Sequence, residues 1–547
     1  MNTQRSIGAR SDVMVHTLLD EAVAQTADAW AVRDAAGRWT YRQLDAHSRA
    51  FAAWLAAHGI ARGERILVQL PSTRELVALF YGAARHGAVL VPVNTGMKDF
   101  HLRSVIENSE PALVVVPGGA VERIGALGDV PVLALETVWD QVTELRERAA
   151  HGPAAPGPAK SAQPEATEAT EATEATEATE ATEATEATEA TEESAEDIAV
   201  LVYTSGSTAA PKAVVCPHGR MVFASEAIQL ELGYRPDDVV FCRFPISWDY
   251  GLYKILLATL GRSELVLADG ESDLVLLERI RECGATVVPI VPSLAAMICA
   301  LAEREPYTGT EGPSRVRMFT NTGAALPKTT ADSLRAAFPG ADVVRQFGQT
   351  ECKRISVLPP EFEDSKAASV GRPLPGTRVR VLADDGSELP TGATGEIVVE
   401  GPHVMPGYWR APEVTARTFR TSPSGEPRLH TGDFGHLDED GFLYYEGRRD
   451  DMFKRRGVRM STIEIEAAAT DIPGVRAAVA VPPDGDRDLA VFVEGEIPPH
   501  IVLRELSLRL ELAKVPATCQ VLEELPLTQH GKHDRKQLAR LLEGTPR

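Results

Sequence analysis

Between Val13 and about Val116 the chain alternates helix-length amphipathic segments with short apolar runs, and this constrains its fold more than any other feature. Tyr41 to His58 and Glu75 to His86 have the spacing of helices with one apolar face. Arg65-Ile-Leu-Val-Gln-Leu70 and Val89-Leu-Val-Pro-Val93 are too short for helices and apolar on both sides. A strand without a polar face has to be covered on both sides, and helices that carry the chain back between such strands do so. The pattern predicts an α/β architecture of mainly parallel strands buried between helices.

After a break, Ile198-Ala-Val-Leu-Val-Tyr203 is another buried strand, and the alternation continues to about Pro360. From Val370 to Gly447 the sequence is turn-rich and β-like, as in Gly395-Glu-Ile-Val-Val-Glu-Gly401 and Gly441-Phe-Leu-Tyr-Tyr-Glu-Gly447. A smaller α+β unit is expected from Arg448, with helices at Ile463 to Thr470 and around Ile501 to Leu512. Its strands are expected at Val475 to Val481 and Asp488 to Val493, followed by a basic tail around Lys532. The expected organisation is a large domain of layered sheets and helices, residues 1–447, and a small one, residues 448–547.

A chain of 547 residues exceeds one short core, and 44% hydrophobic with 24% charged residues is globular composition. The net charge of −22 argues against a nucleic-acid partner, which needs clustered positive charge. Half of that charge is local: eleven glutamates lie between Glu165 and Glu193, most in nine Glu-Ala-Thr triplets. Such a segment has little to bury and repels itself, so residues 152–196 are expected to be a disordered insertion in a surface loop, where added length costs little. An acidic interaction tail is the alternative reading. The six cysteines are scattered without a Cys-x-x-Cys pair, which favours a reducing compartment over a disulfide framework or structural zinc site. No run approaches the roughly 20 apolar residues of a membrane span, and the first thirty residues lack a continuous apolar stretch. The expectation is a cytoplasmic enzyme without a membrane partner.

The chemistry is concentrated in a few short segments. Tyr203-Thr-Ser-Gly-Ser-Thr-Ala-Ala-Pro-Lys212 follows a buried strand directly. Small hydroxyl residues around a glycine let backbone N–H groups approach phosphate oxygens, and Lys212 adds positive charge. The segment lacks the Gly-Lys-Ser/Thr order of a Walker loop. Gln346-Phe-Gly-Gln-Thr-Glu351, Thr431-Gly-Asp433, Gly447-Arg-Arg-Asp450 with Lys454 and Gly457, and Leu527-Thr-Gln-His-Gly-Lys-His-Asp-Arg535 follow in order.

Together these segments resemble the adenylate-forming superfamily of acyl-CoA synthetases, peptide-synthetase adenylation domains and luciferases, over nearly the whole chain apart from the acidic repeat. The resemblance implies ATP and Mg²⁺ as cofactors, and a reaction in which a carboxylic acid and ATP give an acyl-adenylate and pyrophosphate before transfer to a thiol. By the same resemblance Thr204, Ser205, Gly206, Ser207, Thr208 and Lys212 hold the β- and γ-phosphates. Phe347, Gly348 and Thr350 lie along the nucleotide, Glu351 is the Mg²⁺-linked carboxylate, and Asp433 and Arg448 bind the ribose hydroxyls. Lys532 is expected to bridge the substrate carboxylate and the α-phosphate, and Asp450 to be the hinge of the small domain. Thr204, Glu351 and Lys532 are the expected catalytic residues. Cation and backbone donors suffice for such a displacement, which needs no covalent enzyme intermediate. Ala209 and Ala213 stand where the family usually has glycine, and an alanine forced to positive φ would cost about 1 kcal/mol or more. That departure leaves room for a nucleotide-binding protein without turnover.

Phe244-Pro-Ile-Ser-Trp-Asp-Tyr-Gly-Leu-Tyr253 resembles the family's pocket-entry helix, in which amino-acid-activating members carry an aspartate at the position of Asp249. A buried carboxylate there needs a cation such as a substrate ammonium; some fatty-acid-type relatives carry a similar stretch without one. Trp248, Tyr253, Asn321 and Gly323 are expected beside the acid. Lys353 and Arg354 follow Glu351 along the pocket wall and suit a second anionic group, unless they are exposed or paired with Glu361 and Glu363. The leading substrate is a small β-amino or dicarboxylic amino acid, loaded onto a separate carrier protein. An aryl or fatty acid passed to coenzyme A is an alternative, as is nitrite in a nitrogen–nitrogen bond-forming relative.

Overall fold

The computed structural model describes residues 13–151, 194–204, 212–268, 270–304, 314–422, 425–448, 452–455, 458–484, 487–510, 512, 514–528 and 533–543. Each apolar run predicted as a strand is one. Arg65–Val68, Val89–Pro92 and Ile198–Thr204 lie in a six-stranded sheet, in the order Val132–Ala134, Leu113–Val116, Arg65–Val68, Val89–Pro92, Ile198–Thr204, Lys212–Pro217. The first five strands run parallel and the last is antiparallel.

The second large sheet has nine strands, in the order Arg372–Pro373, Ser356–Leu358, Asp342–Phe347, Met318–Asn321, Val287–Ile290, Val239–Cys242, Glu264–Leu267, Trp30–Asp34, Gly37–Thr40. From Asp342–Phe347 to Trp30–Asp34 its pairings are parallel. Helices Tyr41–Ala57, Arg74–His86, His218–Leu232 and Asp249–Gly261 share one apolar core with both sheets, including Ile66 and Leu90 of one and Val240 and Phe319 of the other. Helix Tyr41–Ala57 starts where expected because Thr40 and Gln43 form a reciprocal capping box, and helix Arg74–His86 stops at Gly87, whose φ is 81°.

The turn-rich stretch forms an antiparallel sheet of Arg378–Leu382, Gly395–Glu400, Pro427–Leu437, Phe419–Thr421 and Leu443–Arg448. The C-terminal part holds the hairpin Met452–Arg455/Val458–Ser461, the sheet Val475–Val481, Ala490–Gly495, Thr518–Leu522, and helices Thr462–Thr470, Pro499–Arg509 and Arg535–Glu543.

Three expectations shift. The strand expected from Asp488 starts at Ala490, because the Asp488 carboxylate is drawn onto Arg455 at 2.6 Å. The helix expected to reach Leu512 ends at Arg509, with Leu510 already extended. The insertion expected to run to Glu196 does not include its last three residues: Ala195 is buried, the Ser194 amide donates to Asp197, and Glu196 pairs with Arg220. Residues 152–193 lie outside the described residues.

Candidate active site

The strand pair Ile198–Thr204 and Lys212–Pro217 sets Thr204 opposite Lys212, so the two ends of the expected phosphate loop are neighbours. The Thr204 hydroxyl donates to the Lys212 carbonyl at 3.4 Å. Ser205, Gly206, Ser207, Thr208 and Ala209 lie outside the described residues. Ala213 causes no strain, contrary to the expectation drawn from its position: it pairs with Tyr203 inside the strand and is not among the residues with positive φ.

The strand leaving that loop is tied to Glu351 through a segment the sequence reading passed over. Val215 donates to the Gly407 carbonyl at 3.0 Å and Trp409 donates to the Ala213 carbonyl at 2.8 Å, so Gly407-Tyr-Trp409 runs beside the strand. Tyr408 then donates its hydroxyl to Glu351 Oε1 at 2.7 Å, with Lys212 Nζ 5.8 Å from the centroid of its ring. Burial, and then the neighbouring Glu351 carboxylate, push the Tyr408 phenol well above its ordinary range, so it remains a donor. Met405 donates to the Glu351 carbonyl at 2.9 Å, which fixes the backbone of that residue as well.

Among the described residues no three His, Cys, Asp or Glu side chains gather as a metal cage. Mg²⁺ needs none, since it is commonly held through one or two carboxylates together with substrate phosphates. Glu351, with one oxygen taken by Tyr408 and Thr350 beside it, fits that mode. On the antiparallel sheet Asp433 lies opposite Arg448, with Arg448 Nε 3.7 Å from Asp433 Oδ1. The Asp433 carboxylate is largely buried while the Arg448 head is exposed. Phe347 closes its strand with its ring against Tyr445. Gly348 has no space for a side chain, because a Cβ there would meet Arg354 Cα and the Lys353 carbonyl at 2.7 Å.

That close approach belongs to a tight turn. Lys353 has φ 61°, a left-handed conformation uncommon for a side chain of its size and one that costs of order 1–3 kcal/mol. It is also buried, as is Arg354, so neither is exposed or paired with Glu361 or Glu363. Glu363 is taken instead by Arg335 and Arg345. The turn delivers Lys353 Nζ to Asp249 at the first turn of helix Asp249–Gly261, 2.9 Å from the backbone carbonyl and 3.3 Å from Oδ2. Burial lowers the Lys353 ammonium to about 8 against the opposing pull of Asp249. The Asp249 carboxylate itself is only partly buried, its side chain 25% exposed, and the cation it meets is this lysine.

Arg354 donates to Thr322 Oγ1, and its Nε, though buried, has no partner. Ser247 Oγ, Tyr253 Oη and Asn321 Oδ1 are likewise buried without partners, while Asn321 Nδ2 donates to the Ala324 carbonyl at 3.0 Å. Gly323 follows with φ 86°, turning the chain past the end of its strand, and Trp248 precedes the helix as its N-cap. Buried polar groups are normally satisfied, so orphans around Arg354 and its unpaired Nε mark a place for a polar ligand. Asp450 and Lys532 lie outside the described residues. Ser247, Thr322 and Tyr408 are the site residues that motif reading missed; the Pro406-Gly-Tyr-Trp turn signal marked the segment of the last.

A family model described as AMP-binding enzyme matches residues 19–409. The chain is 28% identical over 558 residues to a 3-hydroxybenzoate–CoA/4-hydroxybenzoate–CoA ligase of Thauera aromatica, covering 100% of this chain and 99% of the relative. It is 30% identical over 543 residues to AMB antimetabolite synthetase AmbB of Pseudomonas aeruginosa, covering 97% of this chain and 39% of that protein. Among solved structures, the complex of VinN with L-aspartate matches with a TM-score of 0.67 and 50% identity, over 80% of this chain and 99% of VinN. The VinN complex with 3-methylaspartate matches with a TM-score of 0.62 and 46% identity, over 79% and 99%. No helix among the described residues is long and apolar enough to cross a membrane.

Proposed function

The chain belongs to the family of AMP-binding enzymes, has the two-domain fold of adenylate-forming enzymes and is an AMP-forming ligase; from that premise we propose that it activates a small amino acid bearing a second acidic group, an aspartate-like or β-amino dicarboxylic acid. The observation that carries this reading is the ion pair of Asp249 with the buried Lys353, next to a buried Arg354 that no carboxylate among the described residues meets, among unpartnered polar atoms. Asp249 takes the substrate ammonium, whose arrival frees Lys353 to join Arg354 on the second acid. The match to VinN structures holding L-aspartate and 3-methylaspartate supports the same assignment.

In the reaction the substrate carboxylate attacks the α-phosphorus of ATP, the bond to pyrophosphate breaks, and the acyl-adenylate remains. Lys212 and the loop after Thr204 hold the leaving phosphates, while Asp433 and Arg448 hold the ribose. Glu351, oriented by Tyr408, is the residue that would hold Mg²⁺, and the ion would supply charge to screen the phosphates. Lys532 then bridges the attacking carboxylate and the α-phosphate. A thiol displaces AMP in the second step, after the small domain, residues 448–547, swings about Asp450. The acceptor in our reading is a separate carrier protein.

The test is carboxylate-dependent pyrophosphate release from Mg·ATP across α-amino, β-amino, dicarboxylic, aryl and fatty acids, with nitrite included. Release confined to amino dicarboxylic acids is the expected result; release with aryl or fatty acids alone overturns it. Coenzyme A as acceptor is the second reading, supported by the full-length alignment with the hydroxybenzoate–CoA ligase, and formation of an acyl-CoA from the activated acid would replace the carrier protein with it.

A further inference from the structure

Lys254 lies on the same helix as Asp249, a little more than one turn further along, and is 2% exposed. Its Nζ donates to Tyr234 Oη at 3.2 Å and stands 4.6 Å from the centroid of the Tyr250 ring. Lys353 Nζ and Arg354 Cζ approach the same ring at 5.5 and 5.9 Å. Three bases therefore surround one tyrosine, which is itself anchored by its hydroxyl to Thr320. The groups that face Lys254 are Tyr234, Tyr250 and Asp249, the Cys242 thiol of strand Val239–Cys242, and Lys353 and Arg354 of the turn after Phe347. The single carboxylate in that set already serves Lys353, and no carboxylate among the described residues pairs with Lys254 or Arg354. Burial first, and repulsion from Lys353 next, favour the neutral amine.

We propose that Lys254 is a specificity-determining residue of the acid pocket, a third base that takes a proton from solvent onto Nζ when the second acidic group of the substrate settles beside Arg354, and so favours dicarboxylic over monocarboxylic amino acids. The proposal rests on the dicarboxylic reading above. The acid arrives as an anion, the proton comes from the buffer, and the hydrogen bond to Tyr234 is kept because the amine and the ammonium both donate.

The test is calorimetric titration of the full-length protein with L-aspartate near pH 7, in buffers of different ionisation heat. The wild type is expected to take up close to one proton per L-aspartate bound, and its affinity to fall up to tenfold for each unit of rising pH. Lys254→Met binds L-aspartate without that proton and without that pH dependence, and its preference for L-aspartate over the isosteric L-asparagine falls about tenfold, the selectivity one charge–charge contact is expected to supply. Lys254→Gln, with its melting temperature recorded, provides a second variant, and the wild-type titration alone is decisive if neither variant folds. Binding with no proton taken up, or uptake unchanged in Lys254→Met, overturns the role of Lys254 while leaving the dicarboxylic reading intact. Failure of both L-aspartate and 3-methylaspartate to bind overturns that reading and the proposal with it.

Discussion

Replacing Arg354 by methionine separates two demands made on one side chain. Arg354 is 3% exposed, makes one hydrogen bond to Thr322, leaves Nε unpaired and has no carboxylate in ion-pair range among the described residues. The substitution removes a bond with a net value of about 1 kcal/mol. It also removes an uncompensated buried charge, and exchange of buried ionic groups for apolar ones of similar volume ranges from neutral to about 1–4 kcal/mol stabilising. The ligand-free melting temperature is therefore expected to hold or rise. Substrate recognition moves the other way. A charge-assisted hydrogen bond to the second acid contributes about 1.5–3 kcal/mol, so KM for L-aspartate rises about 10- to 150-fold, with less change for L-asparagine. The assays are a thermal melt and pyrophosphate release with both amino acids. A lower melting temperature together with unchanged kinetics for L-aspartate would make Arg354 a structural residue and refute the reasoning.

Asp249→Asn keeps the first turn of its helix but loses the partner for the substrate ammonium; kcat/KM for L-aspartate is expected to fall by more than tenfold, with nucleotide affinity, measured by AMP titration, unaffected. Tyr408→Phe removes the donor from Glu351 Oε1, a charged bond worth about 1.5 kcal/mol at a half-buried site. Expected are a roughly tenfold lower kcat and a higher Mg²⁺ concentration for half-maximal rate, while an unchanged Mg²⁺ dependence would contradict the orienting role. His218 is buried, accepts from the Val15 amide at 3.3 Å, and is lowered by burial to about 4. Because its folded value lies below the unfolded one near 6.5, the stability it supports is present above that pH and lost as pH falls toward 4, up to about 3 kcal/mol. Urea titrations of His218→Gln should show a shallower loss than wild type across this window. Deleting residues 165–191 is expected to leave kcat and melting temperature nearly unchanged; loss of function would revive an interaction role for the acidic repeat.

The layers of the fold were legible because their strands are apolar on both faces, and such strands have few alternatives to a helix-covered parallel sheet. Their order was not. Trp30–Asp34 pairs with Glu264–Leu267, more than 200 residues away, and no local pattern encodes that register. The site divides in the same way. Glu351 and Asp249 stand in contiguous motifs, but the contact of Asp249 with Lys353 spans 104 residues, and that of Glu351 with Tyr408 spans 57. Ala213 shows how a rule of residue type can mislead: a glycine preference at its position does not imply positive φ, and the strand register gives alanine an ordinary conformation.

Lys254 was legible in principle and overlooked. From Tyr250 to Thr259 every residue of the helix is buried, and Lys254 is the one basic side chain among the ten. A helix that buries a whole run places a lysine there at a cost in desolvation, which local propensity does not offset. The same logic joins it to its neighbours, since Lys353 adopts a strained left-handed backbone in order to reach Asp249, and Arg354 is buried with an unpaired Nε. Three basic side chains share one partly exposed carboxylate, so the cost of burying them is only partly offset by their partners among the described residues. Such an arrangement makes physical sense if something negatively charged regularly completes it, so the acidic amino acid we propose as substrate rests on the charge of these side chains more than on any single motif.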